Sequence, residues 1–177
     1  MDRIKIFLTN LDQYNQGALV GEWLKLPVTD EDELEALLKR IGVSQGSAEY
    51  FITDYESSIA NLQIEEYASI SQVNELATKI DTLCDWDYEK FCAVLEAESP
   101  SSISQILALL SELQEFDLIS EISTEQELGE FYAECCGIFT NLPQIVETYF
   151  DFEKYGRDIK LQINGTFTSF GYLEDRR

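Results

Sequence analysis

Between Ile41 and Glu153 the chain carries 23 aspartates and glutamates against two bases, Lys79 and Lys90. That stretch holds −21 of a total net charge of −22. The flanks are ordinary by comparison: residues 1–40 have eight acids and five bases, and residues 154–177 have three and five. Charge this dense restricts what can fold, because self-repulsion opposes compaction. The elements that tolerate it bury one apolar face and leave the carboxylates in water. With 45% apolar and 12% aromatic residues, the chain can bury enough surface to offset its ordering entropy, unlike a disordered acidic tail.

The pattern predicts such elements. Ile4 to Leu8 and Val20 to Leu26 read as strands, the second stopped by Pro27, with a turn-rich Asn10 to Gly17 between them. Asp30 and Glu33 fit a capping box, and Leu34, Leu37, Leu38 and Ile41 follow at helical spacing. Lys39, Arg40 and Gly42 suit the end of that helix. Glu49 to Glu56 reads as a third strand. Three amphipathic helices are then predicted over about 71–116. Their stripes are Val73, Leu76, Ala77, Ile80 and Leu83; then Tyr88, Phe91, Cys92 and Leu95; then Ile103, Ile106, Leu107, Leu110 and Leu113. Phe116 to Ile122 reads as a short strand. Thr124 with Glu127 caps a further helix, whose predicted buried stripe is Leu128, Phe131, Tyr132 and Cys135, ended by Gly137. Pro143 opens a short helix through Tyr149, and Lys160 to Leu173 alternates like one or two closing strands. The fold class is α+β. The expected division is an N-terminal α+β unit (1–62), a central helical bundle (63–116) and a C-terminal α+β unit (117–177).

Most chemistry is excluded by what the sequence lacks. It has no His, so the common nucleophilic triads are out, and no P-loop or GxGxxG run occurs. Asp85, Asp87, Glu89 and Glu96 imitate a calcium loop, but Lys90 stands where the sharp turn needs glycine. Cys84, Cys92, Cys135 and Cys136 form no CxxC pair, which argues against zinc and predicts buried free thiols in a reducing cytoplasm. Trp23 and Trp86 lie beside apolar stripes, which predicts core anchoring. No cofactor, metal or enzymatic activity is expected. The opening MDRIKIFLTN lacks the basic start and long apolar run of a signal peptide, and no run is long enough to span a membrane. An acidic field repels nucleic acid and acidic membranes and attracts basic partners.

The acids themselves remain. The predicted outer surface comprises Asp85, Asp87, Glu89, Glu96, Glu98, Glu112, Glu115, Glu121, Glu125, Glu127, Glu130 and Glu134. Steps of three or four residues along a helix climb roughly 4.5–6 Å, so one stripe is sparser than a phosphate strand, but adjoining stripes approach it. At duplex density, about one charge per 1.7 Å, the 21 net charges would cover on the order of 35 Å. Three readings fit: an imitation of DNA, a halophile-type solvated surface, or an acidic interaction or chaperone module for basic DNA-binding proteins.

Particular residues narrow this choice. Phe7 to Leu11, Tyr14, Asn15, Gly17 to Gly21, Trp23 and Asp54 to Glu56 form one group. Glu127 to Glu134, Gly137, Leu142, Pro143, Tyr149 to Asp158 with its YGRD block, Gly165 to Phe167, Gly171 and Tyr172 form a denser one. In this pattern the chain resembles the ArdA antirestriction family over nearly its whole length. The resemblance implies an elongated protein of three parts whose acidic surface looks like bent B-form DNA. It implies occupation of the DNA groove of type I restriction–modification enzymes, at their methyltransferase and specificity subunits, by a protein carried on mobile elements. The family's antirestriction stretch falls on Leu128 to Pro143, where Glu130 and Glu134 match, while Cys135 and Asn141 replace acids found in many members. A homodimer is also implied; the apolar Gly137, Ile138, Phe139 and Leu142 are candidates for its contact.

Overall fold

A computed structural model describes residues 3–43 and 49–177; Met1 and Asp2, the start of the MDRIKIFLTN opening, lie outside the described residues. The protein is α+β, with eight α-helices and two three-stranded sheets among the described residues. The chain groups into two compact units, one of residues 1–88 and 99–110, the other of residues 89–98 and 111–177. Each unit carries 17 acids and six bases, a net charge of −11 apiece.

In the first unit, β1 (Ile4–Asn10) is the central strand of an antiparallel sheet, between β2 (Gly21–Leu26) and β3 (Tyr50–Ser57). Ile4, Ile6 and Leu8 are fully buried, as the period of two requires for one covered face. The segment expected as a turn after β1 instead contains a short helix, α1 (Leu11–Asn15). Asn10 explains it: its Oδ1 accepts from the Gln13 amide at 3.0 Å, while its Nδ2 donates to the Ile41 carbonyl. Helix α2 (Glu31–Arg40) starts at Asp30, whose carboxylate takes the Asp32 amide; the reciprocal bond from Glu33 is absent among the described residues. It ends where Gly42 adopts φ +78°, the left-handed cap that glycine permits. Helices α3 (Ile70–Asp81) and α5 (Ile103–Ser111) bury Val73, Leu76, Ile80, Ile103 and Ile106. Helix α4 (Asp85–Glu98) runs from one unit into the next.

The second unit pairs β4 (Phe116–Ser120) with β6 (Gly171–Asp175), and β6 with β5 (Gly165–Thr168). Its helices are α6 (Glu125–Cys135), α7 (Gln144–Thr148) and α8 (Phe152–Gln162). The last was not anticipated, and the predicted closing strands begin later than Lys160 for that reason. Asp151 caps α8 through the Lys154 amide, and Tyr155, Ile159 and Ile163 share the helical face packed on a core of Ile122, Leu128, Ile159 and Tyr172.

α6 and α8 meet backbone to backbone. A Cβ at Gly129 would lie 2.0 Å from the Phe152 carbonyl oxygen, and one at Gly156 would lie 1.7 Å from that of Glu125. This crossing sets the rotation of α6, which buries Leu128, Gly129 and Ala133. Phe131 and Cys135, expected inside, are exposed as a result, and Tyr132 is half-buried.

Other expectations are also corrected. Trp23 and Trp86 are 39% and 49% exposed; Trp23 rests edge-on against Phe7 at the rim of the sheet. Of the four free thiols only Cys92 is buried, because Cys84, Cys135 and Cys136 sit at the ends of helices. No helix among the described residues is long and apolar enough to cross a membrane.

The crossing predicts an inverted substitution effect. At an open helical glycine, alanine stabilises by ~0.5–1 kcal/mol. Gly156→Ala should instead destabilise, by roughly 3 kcal/mol, as overpacking does in closed sites. Urea unfolding followed by circular dichroism measures the sign, and a stabilised variant would contradict the close approach.

Candidate acidic interaction surface

The acids predicted to form the surface divide by what they already hold. Glu127 belongs to a complete capping box: the Ser123 amide and hydroxyl and the Thr124 amide donate to its carboxylate at 2.8, 3.0 and 3.0 Å, and the Glu127 amide donates to Thr124 Oγ1. The Ser123 bonds, then those from Thr124, lower its pKa. Glu96 accepts from the Ser169 amide and hydroxyl, joining α4 to the β5–β6 turn within the second unit. Asp87 accepts from the Cys84 thiol, and Glu130 from the Gln126 amide.

A second group is paired with bases from the tail. Arg177 reaches Glu98 at 2.6 Å, Asp175 at 2.9 Å and Glu112 at 3.5 Å, and lies over the Phe116 ring. Its bonds hold the Asp175 carboxyl below the usual range, and Asp175 in turn raises the guanidinium's own pKa. Arg157 takes Glu125 and Glu153, Lys160 also approaches Glu125, and Arg176 pairs with Asp117. These partners are mostly exposed, where such pairs contribute little individually; their effect is to lower the local charge of an acidic unit.

Asp85, Glu89, Glu115, Glu121 and Glu134 are left. All five are exposed, and their side chains have no hydrogen-bond or ion-pair partner among the described residues. Four of them lie in the second unit, and Asp85 lies in the first. Glu134 also stands on the wall of a cavity of about 590 Å³, with Glu130 and, from α7, Glu147. Phe139 and Phe152 supply apolar lining, held by a cluster in which Phe150 packs on both at 5.1 and 5.0 Å. Glu147 was missed in the sequence. Its signal was the start of α7 at Pro143, which puts it on a helix rather than in a loop.

No cluster among the described residues has the three or more Cys, Asp or Glu ligands needed to hold a metal ion. What the surface offers is fixed negative charge with free lone pairs, suited to Lys and Arg. One family profile, described as antirestriction protein (ArdA), matches residues 6–174 of the 177-residue chain. The chain belongs to the ArdA family. Its class of function is therefore antirestriction, which implies interaction with restriction enzymes, and ArdA proteins are inhibitors rather than known enzymes. A comparison with curated proteins gives no significant match.

Helix α6 thus carries both kinds of acid, Glu127 held by its capping box and Glu134 without a side-chain partner among the described residues. A depressed folded-state pKa means that Glu127 contributes stability above the unfolded carboxyl pKa, lost as pH falls through its lowered value. On acidification, the Ser123, Thr124 and Glu127 amide resonances should shift together, with a midpoint below the ordinary glutamate range. Glu127→Gln should abolish that step. A midpoint at the ordinary value would contradict the capping geometry in solution.

Proposed function

We propose that the protein imitates DNA, occupying the DNA groove of type I restriction–modification enzymes at their methyltransferase and specificity subunits, competitively and one for one. Its carboxylates take the Lys and Arg that would otherwise hold phosphates, and they offer little sequence information, since phosphate contacts position and base contacts specify. The observation that carries the reading is the set of five exposed acids with no internal partner, Asp85, Glu89, Glu115, Glu121 and Glu134. They persist although each unit carries −11, a charge that opposes its own folding. Family membership supports the same direction.

The test is displacement of labelled duplex from a type I methyltransferase. Stoichiometric displacement should weaken as salt rises, because screening acts on exposed charge pairs. Replacing the five acids by their amides should weaken binding ~5-fold or more, from losses of ~0.2–1 kcal/mol each. Glu127→Gln should act on stability instead. A flat salt response, or no displacement, removes the proposal. Equal binding to unrelated basic proteins without a DNA channel would favour the acidic chaperone reading.

We also propose a homodimer. Leu142, Ile145, Val146 and Tyr149 are 48%, 60%, 40% and 81% exposed, Ile145 and Val146 on the short helix α7 and the other two just outside its ends. Sedimentation should find a dimer at micromolar concentration, and Ile145→Asp should shift it to monomer. A wild-type monomer would overturn this proposal without touching the first.

A further inference from the structure

The first unit carries an aromatic feature that phosphate imitation does not use. Phe51, buried on β3, holds a tyrosine on each of two contacts: Tyr14 edge-on at 5.1 Å and Tyr67 stacked at 6.0 Å with 22° between planes. Both tyrosines are open to solvent, Tyr14 at 50% and Tyr67 at 71%. They come from separate parts of the chain and are brought together by backbone bonds. The Leu11 amide donates to the Glu49 carbonyl, fixing α1 beside β3, and the Ile52 amide donates to the Glu66 carbonyl, fixing the segment before Tyr67 on the strand's other side. The same framing places three exposed acids, Asp12, Glu49 and Glu66, in the segments that carry the rings. None of the three has a side-chain partner among the described residues.

Aromatic faces attract cations, and elsewhere the chain satisfies this internally. Arg3 lies 4.1 Å from the Tyr88 ring centre, Lys160 4.9 Å from Phe167, and Arg177 4.5 Å from Phe116. Tyr14 and Tyr67 have no such cation among the described residues. None of the unit's own bases is spare: Arg3, Lys5, Lys39, Arg40 and Lys79 are in ion pairs, and Lys25 is also engaged. The unit's own bases therefore leave these two ring faces open among the described residues.

We infer that Tyr14 and Tyr67, on the Phe51 base and in segments that also carry Asp12, Glu49 and Glu66, form a docking platform for an arginine side chain on a basic protein partner. Arginine is the matching cation because its planar guanidinium stacks on a ring while its edge hydrogen-bonds carboxylates; the lysine ammonium is a strongly hydrated point charge without that geometry. A bare carboxylate surface separates the two bases far less. The platform therefore adds a preference that the acidic surface lacks, and it does not depend on the DNA-imitation reading.

The experiment uses the full chain and two fluorescent hexapeptides, all-arginine and all-lysine, titrated by anisotropy at moderate salt. The arginine peptide should bind about five-fold more tightly, the upper range for an exposed cation–π contact. Tyr14→Leu with Tyr67→Leu should bring the two peptides to equal affinity, while Tyr14→Phe with Tyr67→Phe should keep the preference, because the ring and not the hydroxyl carries it. Equal affinities in the unsubstituted chain, or a preference that survives in a folded leucine pair, would overturn the inference. Loss of the preference in the phenylalanine pair would also overturn it. Since the readout contains no restriction enzyme, these outcomes leave the duplex-displacement result to stand or fall separately.

Discussion

The second unit depends on two glycines that let helix backbones touch. With Gly129 against the Phe152 carbonyl and Gly156 against that of Glu125, α6 and α8 approach more closely than any side chain allows. Close packing of this kind is intolerant of even one added carbon. It also fixes which way α6 faces. Leu128 and Ala133 turn inward with Gly129, so Glu130 and Glu134 must turn outward. The YGRD block, conspicuous in the sequence, is accordingly structural in most of its members. Gly156 makes the crossing, Tyr155 packs at the core edge, and Arg157 binds Glu125 at the start of the neighbouring helix. The acids of α6 are displayed because a glycine on the far side of the helix allows the crossing.

The distribution of charge changes between chain and fold. Along the chain nearly all the excess lies in residues 41–153. In the fold, the basic tail returns onto this segment: Arg177 onto Glu98 and Glu112, Arg176 onto Asp117, Arg157 and Lys160 onto Glu125. Lys5 does the same for Glu56, and Arg3 for Asp81. The two compact units end with equal net charge. Neither is spared the repulsion, and neither contains enough base to neutralise its acids. A count along the sequence therefore overstates how local the acidity is, while a count of pairs understates it, because exposed pairs are weak and screened.

What could be read in advance followed from local rules. Ile4, Ile6 and Leu8 alternate and are buried; Val73, Leu76, Ala77 and Ile80 repeat at three and four and are buried; Thr124 and Glu127 form the box their spacing suggests. Where the fold departs from these local rules, the cause is tertiary contact. Phe131 looked like core because it follows Leu128 by three, but the crossing rotated the helix toward Gly129 and Ala133. Helix α8 was hidden because a mid-helix glycine, normally unfavourable by about 1 kcal/mol against alanine, masked its period. Trp23 sits on a strand whose alternation is clear, yet it faces outward, and its large apolar ring was misleading. Among the acids, residue type and helical spacing could not separate Glu127 and Glu96, held by amides and hydroxyls, from Glu134 and Glu121, without side-chain partners among the described residues. That distinction rests on Ser123 and on Ser169, the latter remote in sequence from the glutamate it binds.

This separation bears on what an acidic surface is for. Carboxylates that close caps and tie the tail would exist in any stable protein with these helices, so they say nothing about a partner. The informative acids are those that raise the repulsion and receive nothing in return among the described residues. Asp85, Glu89, Glu115, Glu121 and Glu134 are of this kind, as are Asp12, Glu49 and Glu66 in the segments that carry the tyrosines. A solvated surface with no partner would gain solubility from far fewer charges than −22, since a magnitude of roughly 2–8 suffices for a small domain. The excess is better matched to a ligand that is itself densely basic and binds through many weak contacts at once. Such a ligand also accounts for the platform at Phe51: where charge alone is shared by every contact, a few aromatic faces can still distinguish arginine from lysine.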